Sequence, residues 1–140
     1  MLRVIDPKHL AAEWERVRAG LLEVKKATTD DWLPEDVYMA LRQGHAVLYI
    51  GEGAAREYLG FLVLRMVPTH HDKKIEIWCA YSATPEPLMR RFFPHIKAVA
   101  RNAGAGLISF TSAREEWAPA ARRLGFTPKQ VIYEFNLEAP

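Results

Sequence analysis

The nine residues from Ala83 to Arg91, with the sequence Ala-Thr-Pro-Glu-Pro-Leu-Met-Arg-Arg, connect two patterns whose order decides the fold. A strand-like run, Lys74 to Ser82, precedes these nine residues. An amphipathic run, Leu88 to Ala103, begins within them, and a second strand, Leu107 to Thr111, follows it. This order predicts a parallel β-α-β unit. In such a unit the helix N-terminus carries unpaired N–H groups and the positive end of the helix dipole, so it suits an anion such as phosphate.

Two prolines within this connection reduce what the helix start can offer to an anion. Pro85 and Pro87 have no N–H to donate. Four later residues keep their N–H groups, and two of them add positive charge: Leu88, Met89, Arg90 and Arg91. The sequence therefore predicts a scaffold of the cofactor-binding type with few backbone donors, and a plain helix N-terminus is the alternative interpretation.

Composition favours one soluble domain over residues 1–140, since 49% of the residues are hydrophobic and 26% are charged. A net charge of +2 is too small to indicate nucleic acid as a partner. No apolar run approaches the roughly 20 residues that span a bilayer, and Met1 to Pro7 does not resemble a signal peptide, so we expect a cytoplasmic protein that does not enter the membrane. The lone Cys79 excludes an internal disulfide and, within a hydrophobic strand, predicts a buried, unreactive thiol.

The first half of the chain predicts a strand, two helices and an antiparallel meander. Leu2 to Ile5 is typical of a short strand, and Asp6-Pro7 then indicates the start of a helix that runs to about Ala27. Pro34 opens a shorter helix that ends at Gly44. Three strands are predicted to follow: Ala46 to Ile50, Tyr58 to Val67 and Lys74 to Ser82.

The second half alternates helix and strand. A single helical stripe lies within the predicted helix and is made of Leu88, Phe92, Ile96, Val99 and Ala103. Ser112 and Glu115 have the spacing of a capping box, which predicts a last helix with Trp117 and Leu124 facing inward. Pro94 and Pro119 each predict a kink or a later helix start. A final strand is predicted from the alternation of Val131, Tyr133, Phe135 and Leu137.

The predicted fold class is α+β, with three layers and a mixed central sheet of about six strands. Only the two strands that flank the Leu88 to Ala103 helix should be parallel. This element order resembles the GNAT acyltransferase superfamily over nearly the whole chain. Ala46 to Arg65 is similar to the strand, turn and Leu-Gly-Phe strand of that family, and Arg123-Leu124-Gly125-Phe126 is similar to its Lys-Leu-Gly-Phe helix ending.

The resemblance implies a site for acetyl-CoA in a splay between the strands Lys74 to Ser82 and Leu107 to Thr111. The pyrophosphate would lie at the start of the intervening helix, at Leu88, Met89, Arg90 and Arg91. The pantetheine arm would pair with strand backbone at Cys79, Ala80 and Tyr81.

The sequence departs from the family pattern at positions that the resemblance would make functional. The motif Arg/Gln-x-x-Gly-x-Gly/Ala would fall on Thr84, Pro87 and Met89, and none of the three matches. The tyrosine that serves many relatives as general acid would fall on Ala121, and the asparagine before it on Arg114. These differences predict weak cofactor binding at most.

Other polar residues are weaker candidates. Glu76, partly desolvated by Trp78, could serve as a base for an amine if it lies on the face opposite Ile75, Ile77 and Cys79, whereas an exposed sheet face is the alternative. The adjacent His70, His71 and Asp72 indicate a solvated turn, and no metal site is predicted. No Gly-x-Ser-x-Gly elbow of the serine-hydrolase type is present.

Two functions remain open at this point. The first is an acyl-CoA-dependent N-acyltransferase, acting on a small-molecule or protein amine. The second is a non-catalytic GNAT-like binding or structural module that engages a protein partner or forms a homodimer. The stretch from Trp32 to Tyr49 loosely resembles short phage-encoded GNAT-like proteins, including virion-associated ones. The loop from Thr84 to Arg91 is the feature that separates the two functions.

Overall fold

A computed structural model describes residues 1–138, so the last two residues of the predicted 1–140 domain lie outside the described part. Five strands form one mixed sheet in the order β1-β2-β3-β4-β5. The strands are β1 (Leu2–Ile5), β2 (Val47–Glu52), β3 (Tyr58–Pro68), β4 (Lys73–Ser82) and β5 (Leu107–Ser109). Neighbouring strands from β1 to β4 are antiparallel, and β4 and β5 are parallel. The α+β fold class and the single parallel pair are thereby confirmed.

Four α-helices cover the two faces of the sheet: α1 (Leu10–Lys25), α2 (Pro34–Arg42), α3 (Leu88–Asn102) and α4 (Ala118–Leu124). Short 3-10 turns, Pro7–His9 and Glu115–Trp117, precede α1 and α4. On one face α1 and α2 bury their apolar side chains against Ile50, Phe61 and Val63. On the other face α3 packs on Leu62, Leu64 and Ile77. The sheet is therefore the middle of three layers, as predicted.

The predicted starts of the first two helices are confirmed. The Asp6 carboxylate accepts a hydrogen bond of 2.9 Å from the Lys8 N–H, with Pro7 as the first residue of the turn. Pro34 begins α2, where the Asp36 carboxylate accepts a 2.7 Å bond from the Leu33 N–H. Both acidic side chains satisfy backbone donors that a helix start leaves unpaired.

The α3 stripe is also confirmed, because Leu88, Phe92 and Ile96 are buried against the sheet. The helix continues through Pro94, whose side of the helix is exposed. Pro119 lies in the first turn of α4, where a missing N–H costs no helical hydrogen bond. The later start predicted for this last helix is therefore what the chain adopts.

The predicted capping box before α4 is wrong. The Ser112 hydroxyl accepts a hydrogen bond of 3.1 Å from the Arg114 N–H, two residues away, and so closes a local turn instead of capping a helix. Trp117 is half-buried rather than fully inward, with its ring against the Phe110 ring at a centroid distance of 6.5 Å. The helix itself begins only at Ala118.

The predicted final strand is also absent, so the described sheet has five strands instead of about six. The segment has no strand partner in the described chain, and its alternating apolar side chains are exposed: Val131 by 73%, Tyr133 by 91%, Phe135 by 86% and Leu137 by 86%. Alternation predicts a face that can be buried, but it does not provide the neighbouring strand that buries it.

The chain after α3 joins the rest of the protein through partly buried contacts. None of the described residues after Ala100 is buried. Phe126, which follows α4, contacts Phe93 of α3 at a centroid distance of 5.2 Å and Phe110 at 4.9 Å. These aromatic pairs hold α4 beside β5. Within residues 1–138, no helix combines the length and the apolar character needed to cross a membrane.

Candidate functional site

The strands β4 and β5 separate after a short paired stretch. Lys74, Ile75 and Glu76 of β4 pair with residues 107–109 of β5. Beyond Glu76, β4 continues to Ser82 without a strand partner on this side in the described chain. The result is an open wedge, here called the β4–β5 cleft, bounded by residues 77–82 of β4, the chain after β5 and the start of α3. This is where the sequence resemblance implies a splay.

A β-bulge lies in β4 at the narrow end of this cleft, where β4 and β5 begin to separate. Val63 of β3 pairs with Cys79, but the next residue, Leu64, pairs with Ile77, so Trp78 is the extra residue. The bulge changes which face each side chain occupies: Ile77 lies on the α3 face and Cys79 on the α1 face. The predicted position of Glu76 opposite Cys79 is therefore wrong, because one inserted residue brings Glu76 to the same face as Cys79.

The backbone of β4 beyond the bulge alternates between its partner strand and the cleft. The Ala83 N–H donates to the Leu59 oxygen of the β3 side at 2.9 Å. In an antiparallel ladder every second residue bonds the same neighbour, so the polar groups of Cys79 and Tyr81 point toward β3 and those of Ala80 and Ser82 point toward the cleft. Among the three predicted backbone partners for a pantetheine arm, Ala80 is the one that faces the open edge.

The start of α3 faces the same cleft with some of its donors already in use. Pro87 is the N-cap, and the Ser82 hydroxyl accepts a hydrogen bond of 2.7 Å from the Leu88 N–H. The Arg91 N–H donates to the Pro87 oxygen at 3.3 Å. Within residues 1–138 the N–H groups of Met89 and Arg90 have no hydrogen-bond partner. Two of the four predicted backbone donors are therefore free for an anion.

The side chains at this helix start differ in their burial. Met89 is buried, at 3% exposure, so its bulk lies in the core and not over the N–H groups. Arg90 and Arg91 are exposed, as predicted. The Arg91 guanidinium is 3.6 Å from the Glu86 carboxylate, an exposed pair that contributes little to stability. Both guanidinium groups therefore remain accessible to a ligand phosphate.

Glu76 belongs to a network of charged and aromatic side chains on the α1 face. Its carboxylate accepts a hydrogen bond of 2.8 Å from Arg65 Nε. The Arg65 guanidinium stacks on the Trp78 ring at 4.1 Å, and Trp78 contacts Trp32 edge-on at 6.5 Å. Lys25 lies 5.1 Å above the Trp32 ring. Arg65, rather than Glu76, therefore covers the Trp78 ring, and Glu76 has a cationic partner.

Sequence reasoning missed Arg65 and Ser82 as parts of this region. Arg65 lies directly opposite Glu76 in the antiparallel register, so an explicit pairing of the two predicted strands would have found the ion pair. Ser82 lies six residues before Leu88, and only the folded loop brings its hydroxyl to the helix start. His70 and His71 lie in an exposed turn, and residues 1–138 contain no cluster of three or more metal-binding side chains.

We expect the protein to lose stability above about pH 9 through Cys79. Burial raises the pKa of the Cys79 thiol from 9.0 to about 12, so the folded thiol stays neutral where the unfolded thiol ionises. The neutral thiol makes its full contribution to folding stability below the pKa of the unfolded thiol. That contribution is lost as the pH rises toward the folded pKa, by up to about 1.4 kcal/mol per pH unit. The free energy of unfolding in urea, measured from about pH 8 to about pH 10.5, should decline less steeply in Cys79→Ala.

Tyr58 provides the internal reference for that measurement. Burial also raises the pKa of Tyr58, from 10.0 to about 12, so a decline that begins near pH 10 should remain in both proteins. Identical slopes for both proteins between about pH 9 and pH 10 would contradict the assignment to Cys79.

Solved structures with the same fold were found by comparison. A probable acetyltransferase has a TM-score of 0.70 and 18% sequence identity, over 100% of this chain and 98% of that one. A predicted acetyltransferase from Clostridium acetobutylicum, solved with acetyl-CoA, has a TM-score of 0.68 and 16% identity, over 98% of this chain and 96% of that one. An aminoglycoside acetyltransferase from an uncultured soil metagenomic sample, in complex with sisomicin, has a TM-score of 0.68 and 11% identity, over 100% of this chain and 96% of that one.

No protein-family model matches the chain, and no curated protein matches it. The similarity to the solved acetyltransferases nevertheless covers nearly the whole chain in both directions. The chain therefore has the same fold as these solved acetyltransferases, which confirms the GNAT-like fold that the sequence resemblance implies.

Proposed function

We propose that this protein is an acyl-CoA-dependent N-acyltransferase, with acetyl-CoA as donor and an amine as acceptor. The observation that carries the proposal is the separation of β4 from β5 beyond Glu76, directly beside the start of α3. A wedge of this kind offers a free strand edge and a helix start to one elongated ligand. In this proposal the whole chain acts as a single cytoplasmic domain, for which its one buried cysteine is suitable.

The described groups suit two parts of such a cofactor. The backbone of Ala80 faces the cleft and can pair with the amides of a pantetheine arm, in the manner of an added strand. The free N–H groups of Met89 and Arg90, together with the exposed guanidinium groups of Arg90 and Arg91, can hold the pyrophosphate. Ser82 can contribute as well if its hydroxyl exchanges the Leu88 N–H for the ligand.

The chemistry proposed for the cleft is direct attack of an amine on the thioester carbonyl. The new C–N bond forms, the C–S bond breaks, and the leaving thiolate takes up a proton while the amine releases one. The backbone at the Trp78 bulge, where the regular pairing with β3 is interrupted, is proposed to supply an N–H that polarises the carbonyl. Glu76 is the nearest carboxylate to the bulge along β4 and is proposed, through its pairing with Arg65, as the group that orients or deprotonates the amine.

The acceptor is proposed to be a small-molecule or protein amine bound on the α1 face. The Glu76 carboxylate lies there beside the Arg65–Trp78 stack and supplies negative charge that suits an ammonium group. One structural neighbour is an aminoglycoside acetyltransferase in complex with sisomicin. An aminoglycoside or another polyamine is therefore the first acceptor class to assay.

Thermal unfolding and titration calorimetry with acetyl-CoA test the proposal. At 100 times its dissociation constant a ligand stabilises the fold by about 2.7 kcal/mol, which gives a clear rise in melting temperature. ATP is the matched control ligand, since it carries the nucleotide and phosphates without a pantetheine arm. We expect weak binding of acetyl-CoA, little or no effect of ATP, and release of CoA thiol in the presence of a polyamine. Absence of binding at millimolar acetyl-CoA would contradict the enzyme proposal.

A non-catalytic GNAT-like module is the second candidate, and two observations favour it. Ala121 of α4 stands where the family resemblance would place the tyrosine general acid, and alanine has no side chain that could donate a proton. The Ser82 hydroxyl also accepts the hydrogen bond of the Leu88 N–H, which removes one backbone donor from the helix start. Under this alternative, which the loose resemblance of the Trp32 to Tyr49 stretch to phage-encoded GNAT-like proteins also suggests, acetyl-CoA would bind without turnover or would not bind at all.

A further inference from the structure

An open groove, here called the α1–α2 groove, lies between the first two helices. Its lining residues are Ala11 and Trp14 of α1 and Glu35 and Tyr38 of α2, and its volume is about 220 Å³. In each helix the two residues are three positions apart, so they lie on the same face of that helix. None of these lining residues belongs to β4, β5 or α3, so the groove is separate from the β4–β5 cleft.

Two aromatic rings form a corner in the α1–α2 groove. The ring centroids of Trp14 and Tyr38 are 4.8 Å apart, and the ring planes are inclined at 64°. Both side chains are partly buried against the core, which holds the corner in place. The face of an aromatic ring carries partial negative charge, so two rings at such an angle attract a cation that lies between them.

The protein does not place a cation of its own in this corner. Three other rings on the α1 side, those of Tyr58, Trp32 and Trp78, each have a lysine or arginine above them, at distances from 4.1 Å to 5.1 Å. Within residues 1–138, no cationic side chain lies above the ring of Trp14 or Tyr38. The corner is therefore available to a cation from solution.

A carboxylate adds negative charge to the same groove. Glu35 lies in the first turn of α2, and its side chain is 62% exposed. The Arg18 guanidinium is 3.5 Å from this carboxylate and is itself 48% exposed, so water screens the pair and its net contribution is small. The groove therefore offers two aromatic faces and one carboxylate whose present partner can be displaced.

We propose that the α1–α2 groove binds a trimethylammonium group, such as that of choline. The methyl groups spread the positive charge over an apolar surface, which suits the two ring faces and the methyl group of Ala11. A primary ammonium carries three N–H donors and is strongly hydrated, so apolar walls suit it less. A quaternary nitrogen has no proton to release and cannot act as an acyl acceptor, so this site is independent of the proposed enzymatic function.

Titration of the full chain with choline, followed by nuclear magnetic resonance, is the first test. The four tryptophans give four indole N–H signals, and the signal missing from Trp14→Leu belongs to Trp14. We expect choline to shift this signal with a dissociation constant of about 1–10 mM, as suits a small ligand in an open site. Dimethylbutanol, the neutral analogue with carbon in place of nitrogen, should bind at least about tenfold more weakly. Absence of a shift at about 100 mM choline, or equal affinity for both compounds, would overturn the proposal.

Substitution of the exposed charges tests the site without disturbing the packing of the rings. Glu35→Gln should weaken choline binding about threefold, whereas Arg18→Gln should strengthen it about threefold because it frees the carboxylate. Glu23→Gln and Lys26→Gln are the matched controls, since they change a similar exposed ion pair outside the groove, and both should bind choline as the unmodified protein does. Equal affinities of Glu35→Gln and Arg18→Gln for choline would contradict the proposed site.

Cosedimentation with phosphatidylcholine vesicles distinguishes two sources of the trimethylammonium group, the free cation and the lipid headgroup. Choline binding without cosedimentation assigns the free cation as the ligand. Cosedimentation that choline reverses and that Trp14→Leu abolishes assigns the headgroup. If Trp14→Leu cosediments to the same extent as the unmodified protein, the vesicles bind elsewhere and the assignment to the headgroup is wrong.

Discussion

Replacement of Gly60 with alanine is expected to lower the free energy of unfolding by roughly 3–5 kcal/mol, the largest loss that we expect from a single methyl group in this chain. Gly60 lies within β3 at φ +138°, a conformation that residues with a side chain rarely adopt. A Cβ atom at this position would overlap the backbone oxygen of Tyr81 in β4. The penalty therefore combines dihedral strain with a clash between two backbones that cannot move apart without breaking the β3–β4 ladder.

Urea denaturation of Gly60→Ala measures this loss, and Gly44→Ala is its control. Gly44 also has a positive φ, +77°, but nothing lies within 4 Å of the position of its Cβ. Gly44→Ala should therefore show the dihedral strain alone, about 1–2 kcal/mol. If the two variants lost equal stability, the clash with Tyr81 would not contribute to the loss. The β3 and β4 backbones would then be able to move apart more easily than the structure indicates.

Removal of both arginine side chains at the start of α3 is expected to weaken acetyl-CoA binding by at least roughly a hundredfold. Each charge-assisted hydrogen bond to a phosphate contributes about 1.5–3 kcal/mol, and two of them correspond to a factor of about 100 or more. The effect should be large here because Pro85 and Pro87 supply no N–H and Ser82 already occupies that of Leu88. Arg90→Ala with Arg91→Ala should leave the free energy of unfolding within about 0.5 kcal/mol, since both side chains are exposed.

Calorimetry on this double variant is matched by a second one, Arg101→Ala with Arg122→Ala, which removes the same charge from exposed positions away from the start of α3. The control should bind acetyl-CoA as the unmodified protein does. Submicromolar binding that survives the loss of Arg90 and Arg91 would show that the cofactor lies elsewhere. Equal weakening in both double variants would indicate a general effect of net charge instead of direct contact.

Most of the fold could be predicted because its signals are local. The stripe of α3 repeats at helical spacing over four turns, and Asp6, Pro7 and Pro34 mark helix starts by their own chemistry. The strand-helix-strand order around α3 then leaves a parallel pairing as the expected arrangement, and β4 and β5 have it. These signals are contained within short stretches, so one sequence is enough to read them.

The features that could not be predicted depend on distant partners. The run from Ile75 to Cys79 alternates without a visible break, and only its pairing with β3 shows that Trp78 is an extra residue. The same bulge moved Glu76 onto the face of Cys79 and decided which backbone groups face the cleft. Ser112 had the right spacing for a capping box but found a nearer donor at Arg114. The final strand predicted over residues 131–137 is absent from the described chain, because alternation does not by itself provide a neighbouring strand.

None of the described residues after Ala100 is buried, which implies that this protein does not open as one unit. The meander from β1 to β4 is enclosed by two apolar layers, so its amides should exchange with solvent hydrogen mainly when the whole molecule unfolds. Three strand residues and a few aromatic contacts hold β5 and α4, and these elements should open locally at a much smaller free-energy cost. One wall of the β4–β5 cleft is therefore the more labile part of the molecule. A ligand that contacts both walls would stabilise this part by opposing its local opening.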